Sequence, residues 1–353
     1  MFSAQAFLSI DRKAVMRRTA LLFAVFLAMG GQTRAQTEKK ASFEGGVQVK
    51  RPVHTFSIVA RDPATGDMGV AVQSHWFSVG SDVIWAEAGV GAIATQSLID
   101  VTYGPLGLEM MRAGRSAGQT LTALKTADEH PEIRQVAMID VNGNVAAHTG
   151  EKCIPDAGHI VGDNFSAQAN LMLNKDIWPA MAKAYRNAKG DLADRMVAAL
   201  EAAQSVGGDI RGKQSAAILI VKGKSTGKPW NDRVMELRIE DHPQPIKELK
   251  RLVNLQRAYN YMSAGDLALE QNDVEAALRA YSTAEAMYPD NLEMKFWHAV
   301  SLVNANRLPE ALPLFKIIFA KDSNWATLVP RLPAVDILPK NQTVINKILS
   351  VNK

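Results

Sequence analysis

A threonine at the start of a predicted strand is the residue whose type and position best suit chemistry in this chain. Thr55 opens a β-type run, Thr55–Ala60, and a second run, Gly69–Ser74, follows it across a turn that contains Pro63 and Gly66. If the chain is cut before Thr55, this residue carries a hydroxyl nucleophile and an α-amine that can act as its base, which is a route to amide hydrolysis. The alternative is that Thr55 is an ordinary strand residue, because threonine favours strands.

A segment from His148 to His159 gathers residue types that bind metals, with Cys153 between them. Zinc accepts histidine, cysteine and carboxylate ligands, but the spacing here matches no common zinc site. A single cysteine cannot form an internal disulfide, and such a residue more often packs as a small apolar side chain. We therefore predict neither a metal nor a cofactor, and we interpret the segment as a structural loop.

Residues 1–35 have the layout of a secretory signal peptide. Basic residues in 12–18 precede a short apolar run, 20–29, and a small-residue cleavage site ends at Ala35. This pattern predicts export to the periplasm or to the outside of the cell. The following segment, 36–53, is polar and is predicted to be a flexible lead-in or propeptide. A second cleavage is then needed to free the amine of the candidate threonine.

The composition is typical of a globular protein and argues against two classes of partner. Hydrophobic residues make up 47% of the chain and charged residues 22%, which permits a sizeable core. Without residues 1–35, the 40 basic and 36 acidic residues of the whole chain fall to 35 of each. Because the mature chain then has no net charge and no basic stripe, we predict no nucleic-acid partner. We also predict no membrane span after signal cleavage, since the apolar run 20–29 is too short to cross a bilayer.

Strand and helix patterns alternate in blocks after the lead-in. The predicted order is two hairpins, two helices, a hairpin, a strand, two helices and two final strands. This order favours two antiparallel sheets stacked face to face, with helices on both outer sides. The predicted segments are, in chain order, 55–74, 81–97, 107–113, 116–129, 135–148, 165–171, 176–188, 192–204, 215–221 and 234–239.

The chain from residue 246 onward is predicted to be helical only and to contain an internal repeat. Ala277 and Tyr281 recur as Ala311 and Phe315, at an offset of 34 residues, which is the period of tetratricopeptide units. Two such units are fewer than the three usually needed for independent stability, so we expect them to pack on the preceding domain.

Six segments together resemble a bacterial family of unknown function, DUF1028, within the N-terminal nucleophile (Ntn) hydrolase superfamily. The segments are HTFSIVARDPATGDMGVAVQS, WAEAGVGAIATQS, YGPLGLEMM, AAHTGEKCIP, GGDIRGKQSAAILIV and NDRVMELRIEDH. The resemblance covers roughly residues 53–257 and implies an α+β fold, the four-layer αββα sandwich of Ntn hydrolases, followed here by a small all-α tetratricopeptide-like domain. It also implies an amide-cleaving activity, although a fold does not by itself determine a function.

The resemblance places several groups around the nucleophile. It implies a nucleophile at the start of the first strand and backbone oxyanion donors at the end of the second hairpin. It further implies an asparagine at the end of a later strand and a polar pair beside the start of a late strand. The lysine early in the third strand of proteasome-like members has no counterpart here. In this sequence the implied positions are, in that order, Thr55, Thr95 and Gln96, Asn170, and Asp209 with Ser215.

Two functions therefore remain open. The first is an exported Ntn-type amidohydrolase that acts on a small-molecule or peptide amide. The second is a non-catalytic sandwich whose helical repeats bind a protein or peptide partner in the envelope, as a scaffold does. A homo-oligomer is compatible with both. The predicted division is a signal peptide 1–35, a lead-in 36–53, a sandwich domain 54–245, a tetratricopeptide-like region 246–330 and a C-terminal tail 331–353.

Overall fold

The computed structural model describes residues 53 and 55–351. The predicted signal peptide, the rest of the predicted lead-in and His54 lie outside the described residues. The described chain is a mixed α+β structure with two antiparallel sheets and a C-terminal helical region, as predicted. Its strands are β1 (Thr55–Arg61), β2 (Met68–Ser74), β3 (Ile84–Glu87), β4 (Gly91–Ser97), β5 (Arg134–Asp140), β6 (Val145–Thr149), β7 (Gly158–Gly162), β8 (Phe165–Ala169), β9 (Ser215–Val221) and β10 (Arg233–Ile239).

The α-helices flank the sheets and then form the C-terminal region. They are α1 (Gly80–Val83), α2 (Tyr103–Arg112), α3 (Ala117–Ala127), α4 (Ile177–Asn187), α5 (Leu192–Ser205), α6 (Pro245–Glu270), α7 (Val274–Met287), α8 (Leu292–Asn304), α9 (Leu308–Lys321), α10 (Asn324–Leu328) and α11 (Gln342–Ser350). In the part of the chain that the structure describes, none of the helices combines the length and apolar character needed to cross a bilayer.

The two sheets stack face to face between helical layers. The large sheet has the strand order β10-β9-β2-β1-β8-β7, and the small sheet has the order β3-β4-β5-β6. One apolar cluster lies between the sheets, one lies between the large sheet and α4, α5 and the start of α6, and one lies between the small sheet and α2 and α3. The result is the predicted four-layer arrangement. Because both faces of each sheet are covered, β2, β5 and β9 are buried along their whole length.

Side-chain alternation decides which residues of β1 face the second sheet. Phe56 and Ile58 belong to the cluster under α4 and α5, whereas Val59 belongs to the cluster between the sheets. Because successive strand residues point to opposite faces, Thr55 and Ser57 share the inner face with Val59. The start of β1 therefore places hydroxyl groups between the two sheets.

Four details of the predicted secondary structure were wrong for local reasons. Residues 81–83 belong to α1 rather than to a strand, and α2 begins at Tyr103 because Pro105 sits in the first turn, where helix N–H groups lack partners anyway. Strand β7 was missed, since its glycine ends weaken the strand pattern. The stretch 292–320 is two helices, and Asn306 ends the first of them with a left-handed φ of +60°.

The helical region continues directly from the sandwich through the long helix α6. Its first half contributes Ile246, Leu249 and Val253 to the cluster on the large sheet, whereas the repeat residues lie in separate clusters within the helical region. The residues that define the 34-residue repeat are buried at 0–2% exposure. Gly265 is required where α6 meets α7, because a Cβ atom there would lie 2.6 Å from the Tyr281 ring. Residues 329–350, which include α11, add Leu332 to the core of this region.

Candidate functional site

A row of four polar residues crosses one end of the large sheet. Thr55 pairs with Ser74 on β2, and Ser74 pairs with Ser215 on β9. On the other side, the backbone N–H of Asn170 donates to the Thr55 carbonyl at 3.1 Å. All four residues are fully buried. The predicted nucleophile, asparagine and late-strand serine are thus brought into one register row, although they are far apart in sequence.

The Thr55 hydroxyl is buried without a hydrogen-bond partner among the described residues. Most buried polar atoms in proteins are paired, and leaving a hydroxyl unpaired costs roughly 1–3 kcal/mol. The chain ahead of it is anchored as well. Val53 is buried and exchanges two backbone hydrogen bonds with Ser97, at 2.8 and 2.9 Å. Thr55 is therefore buried, and Val53, two residues ahead of it, is fixed to the end of β4 in the uncleaved chain.

Ser97, at the end of β4, has an unusual backbone conformation at this position. Its φ is +74°, in the left-handed region that non-glycine residues rarely adopt. Such conformations cost of order 1–3 kcal/mol and cluster at functional sites. The strained residue is the one that holds Val53.

Buried amides connect the two sheets behind this row. Ser57 Oγ donates to Gln96 Oε1 at 2.6 Å and accepts from Gln168 Nε2 at 2.6 Å. Gln96 Nε2 donates to Gln135 Oε1, which also accepts from Asn170 Nδ2 at 2.8 Å. The predicted residues Gln96 and Asn170 thus meet at Gln135 on β5. This amide network fixes the distance between the sheets at the end where Thr55 lies.

Gln135 is the centre of the amide network, and we expect Gln135→Leu to lower the free energy of unfolding by at least about 2 kcal/mol. Its Nε2 group serves three acceptors, Thr149 Oγ1, the Gly158 carbonyl and the Ala169 carbonyl, at 2.8 to 3.2 Å. Leucine would leave these acceptors and two amide donors unpaired in the interior. Urea denaturation measures the loss. Gln342→Leu, at an exposed position on α11, is the control and should change stability little; an equal effect of the two substitutions would contradict a structural network.

Thr95 and Asp209 lie near the row and Ser215 lies in it, but their side chains bond partners other than Thr55. The Thr95 side chain points away from Thr55, since it donates to the Asp82 carbonyl at 2.6 Å on the outer side of the small sheet. Asp209 accepts from the His75 N–H at 3.1 Å and pairs with Arg211 at 2.7 Å. Ser215 Oγ donates to the carbonyl of residue 76. These two residues hold the loop after β2 and so act on the row through the backbone.

A groove opens beside the amide network where the sandwich ends. It has a volume of about 580 Å³, and its lining includes Thr149, Cys153, His159, Lys175 and Trp178. The groove is linked to the network because Thr149 Oγ1, which accepts from Gln135, also bonds His159 Nδ1 at 2.8 Å. Burial lowers the pKa of His159 below its ordinary value, which favours a neutral imidazole.

Cys153 is a packed residue of the loop between β6 and β7. It is 6% exposed and its Sγ donates to the Arg134 carbonyl at 3.3 Å. Burial raises the pKa of its thiol, which disfavours the nucleophilic thiolate. His148 is held separately by the Pro131 carbonyl at 2.8 Å. Cys153 is therefore packed into this loop and bonded to the start of β5.

Sequence reasoning missed the residues that complete the site. Ser74, Ser97 and Gln135 carry no motif, and their relevance comes from strand register and from a backbone angle. One sequence signal existed for Gln135, because a polar residue at an inward position of a fully buried strand needs a partner. Ser97 had no such signal.

Comparisons with known proteins agree with this architecture. A model of the family of unknown function DUF1028 matches residues 55–249, and a tetratricopeptide-repeat model matches residues 262–324. The chain is similar to the crystal structure of a DUF1028 protein from Silicibacter pomeroyi, with a TM-score of 0.51 and 29% identity. That match covers 58% of this chain and 89% of the other. None of the curated proteins matches the chain.

Proposed function

Because the chain belongs to DUF1028, a family of unknown function, and carries a buried, unpartnered threonine hydroxyl, we propose that it is an Ntn-type amide hydrolase activated by cleavage before Thr55. The observation that carries the proposal is this hydroxyl. The Ser57 hydroxyl, two residues away on the same face, makes two hydrogen bonds, whereas the Thr55 hydroxyl makes none among the described residues. A buried hydroxyl without a structural hydrogen bond supports a chemical role for Thr55. The superfamily assignment is part of the proposal.

Cleavage would convert the shielded threonine into a catalytic residue. The new α-amine of Thr55 takes the proton from Oγ1 as the oxygen attacks an amide carbonyl, and it returns the proton to the leaving amine as the C–N bond breaks. The resulting ester at Oγ1 is then cleaved by a water molecule that the same amine deprotonates, which releases the acid and restores Thr55. Departure of Val53 also releases the N–H and carbonyl groups of Ser97. These groups are then available to hydrogen-bond the main chain of a substrate, as they bond Val53 in the uncleaved chain. The adjoining groove offers space for the rest of the substrate.

The N-terminus of the exported protein tests this proposal without knowledge of the substrate. Since cleavage of the 54–55 peptide bond is itself amide hydrolysis, intact-mass spectrometry is expected to find chains that begin at Thr55. Purified precursor should generate the same terminus in a time course when no protease is added. A chain that begins near Gln36 in every preparation contradicts the proposal. Export to the periplasm or beyond is proposed from residues 1–35 and is tested by cell fractionation of the same samples.

The helical region supports a second candidate function, the binding of a protein or peptide partner. A cavity of about 810 Å³ lies between α6, α8 and the segment after α10, with Tyr259, Met262 and Trp297 among its lining residues. Aromatic and methionine side chains of this kind are enriched at protein interfaces. This candidate does not need a cleaved chain, so precursor that begins near Gln36 and still binds a partner would favour it over the hydrolase.

A further inference from the structure

A second pocket lies at the opposite end of the sandwich from Thr55. It has a volume of about 410 Å³ and is lined by residues at the end of β1, in the turn between β7 and β8, and on α4 and α5. Arg61, its β1 residue, is six residues along the strand from Thr55, which places the two sites about 20 Å apart. The pocket is therefore separate from the proposed hydrolase site. We call it the arginine pocket, after Arg61, Arg186 and Arg195.

The arginine pocket holds more positive charge than its carboxylates neutralise. Arg195 Nη2 pairs with Asp62 Oδ2 at 2.6 Å, whereas Arg61 and Arg186 have no carboxylate within 4.0 Å in residues 53 and 55–351. Arg61 Nη1 donates instead to the neutral Asn164 Oδ1, at 3.4 Å. Asp62 lies beside the lining, and Asp163, on the exposed rim, is the carboxylate within it. Three guanidinium groups thus share two carboxylates, and one of the carboxylates is paired.

The guanidinium groups also have more donors than the protein has acceptors for them. The Nε atoms of Arg61 and Arg195 are buried and lack hydrogen-bond partners within the described part of the chain. Guanidinium carries five N–H donors in a fixed planar fork that matches carboxylate and phosphate oxygens. The two buried Nε atoms do not reach a ligand, but Arg186 is exposed and has no carboxylate partner in the described residues, so its N–H donors can meet an oxyanion in the pocket.

Aromatic rings hold two of the arginines in place. Arg186 lies over the Phe165 ring at 5.1 Å, and Arg195 lies over the Tyr185 ring at 5.3 Å. The two rings are themselves in contact, with centroids 4.7 Å apart. Stacking of this kind fixes the plane of a guanidinium and leaves its N–H edge free to donate. The pocket is therefore organised before any ligand arrives.

We propose that the arginine pocket binds the phosphate or carboxylate group of a small organic anion. Its volume lies within the range of about 300–1,000 Å³ that is common for small-molecule sites, so it has room for more than the anionic group alone. Arg61 and Arg186 supply the free donors, and Arg195 adds charge while it remains paired with Asp62. This inference does not depend on the proposed hydrolase activity.

The test uses the full chain, inorganic phosphate as the first probe and acetate as the second. Isothermal titration at constant ionic strength is expected to show saturable binding of at least one probe. Binding of phosphate alone assigns the pocket to phosphate groups, and binding of acetate alone assigns it to carboxylates. Arg186→Gln is expected to weaken the bound probe about tenfold, which corresponds to one lost charge-assisted contact. Because Arg186 is exposed, this variant should fold.

Arg115→Gln is the matched control. Arg115 is also exposed and has no carboxylate within 4.0 Å across the described ranges, but it lies outside the arginine pocket. It should leave the affinity unchanged. The inference is overturned if sodium chloride at the same ionic strength reproduces the effect of both probes. It is equally overturned if Arg186→Gln binds the probe as tightly as the wild-type chain does.

Discussion

Thr55→Val is expected to abolish cleavage before residue 55 and all amide turnover while leaving the protein at least as stable as the wild-type chain. Valine has nearly the shape of threonine but lacks the hydroxyl that is the proposed nucleophile. Because this hydroxyl is buried without a partner, its removal costs no hydrogen bond and is expected to raise the free energy of unfolding by up to about 2 kcal/mol. Intact-mass spectrometry and urea denaturation measure the two effects.

Ser57→Ala is the matched control for this prediction, because Ser57 is on the same strand, on the same face and equally buried. Its hydroxyl joins Gln96 and Gln168, so alanine should lower the free energy of unfolding by about 1–3 kcal/mol. Removal of the hydroxyl would then lower the free energy of unfolding at Ser57 and raise it at Thr55. If Thr55→Val is destabilised as much as Ser57→Ala, the Thr55 hydroxyl is structural. If Thr55→Val is still cleaved, this hydroxyl is not the nucleophile.

The fold was predictable because local patterns and long-range packing agree through most of the chain. The run 216–221 is apolar on both faces, and the structure buries it on both faces in the large sheet. Asn142-Gly143 marked the turn between β5 and β6, and Gly143 indeed has a φ of +86°. The repeat was predictable because Ala277 and Ala311, 34 residues apart, are both fully buried in apolar clusters of the helical region.

The site was only partly predictable, because its geometry comes from strand register. Thr55, Asn170 and Ser215 could be proposed from a resemblance, but nothing in the sequence states that they form one row with Ser74. A shift of one residue in either pairing would turn these side chains to the other face. The side chain of Thr95 was also not predictable in this way. Adjacent residues of β4 face opposite sides of the small sheet, so Gln96 faces the inner side, where Thr55 lies, and Thr95 faces the outer side.

A buried ion pair between β5 and the segment after α3 lies at the end of the sandwich that contains Thr55. Arg134 Nε donates to Asp128 Oδ2 at 2.7 Å, and the two side chains are 9% and 6% exposed. Tyr103 also donates to this carboxylate, at 3.1 Å. Arg134 pairs in register with Ser97, so the ion pair fixes the strand end that holds Val53. Damage to the pair should therefore disturb both stability and the candidate site.

We expect Asp128→Asn to lower the free energy of unfolding by about 3–5 kcal/mol at neutral pH, because it leaves the Arg134 charge buried without a counter-charge. Glu248→Gln is the control. Glu248 also receives two guanidinium hydrogen bonds, from Arg251, but that pair is exposed and should contribute less than about 1 kcal/mol. Equal effects of the two substitutions in urea denaturation would contradict a buried, stabilising pair.

The pH dependence of Asp128→Asn gives an independent check with a defined sign. Burial by itself would raise the pKa of Asp128, but hydrogen bonds from Arg134 and from the His130 N–H outweigh it and lower the pKa from its ordinary 3.8 to about 2. A carboxyl whose pKa is lowered on folding stabilises the protein above its unfolded pKa, and this contribution is lost as the pH falls through the folded pKa. The stability difference between wild type and Asp128→Asn should therefore be constant at neutral pH and shrink between about pH 4 and about pH 2. A difference that stays constant over this range would mean that the asparagine acts through packing and not through the lost charge.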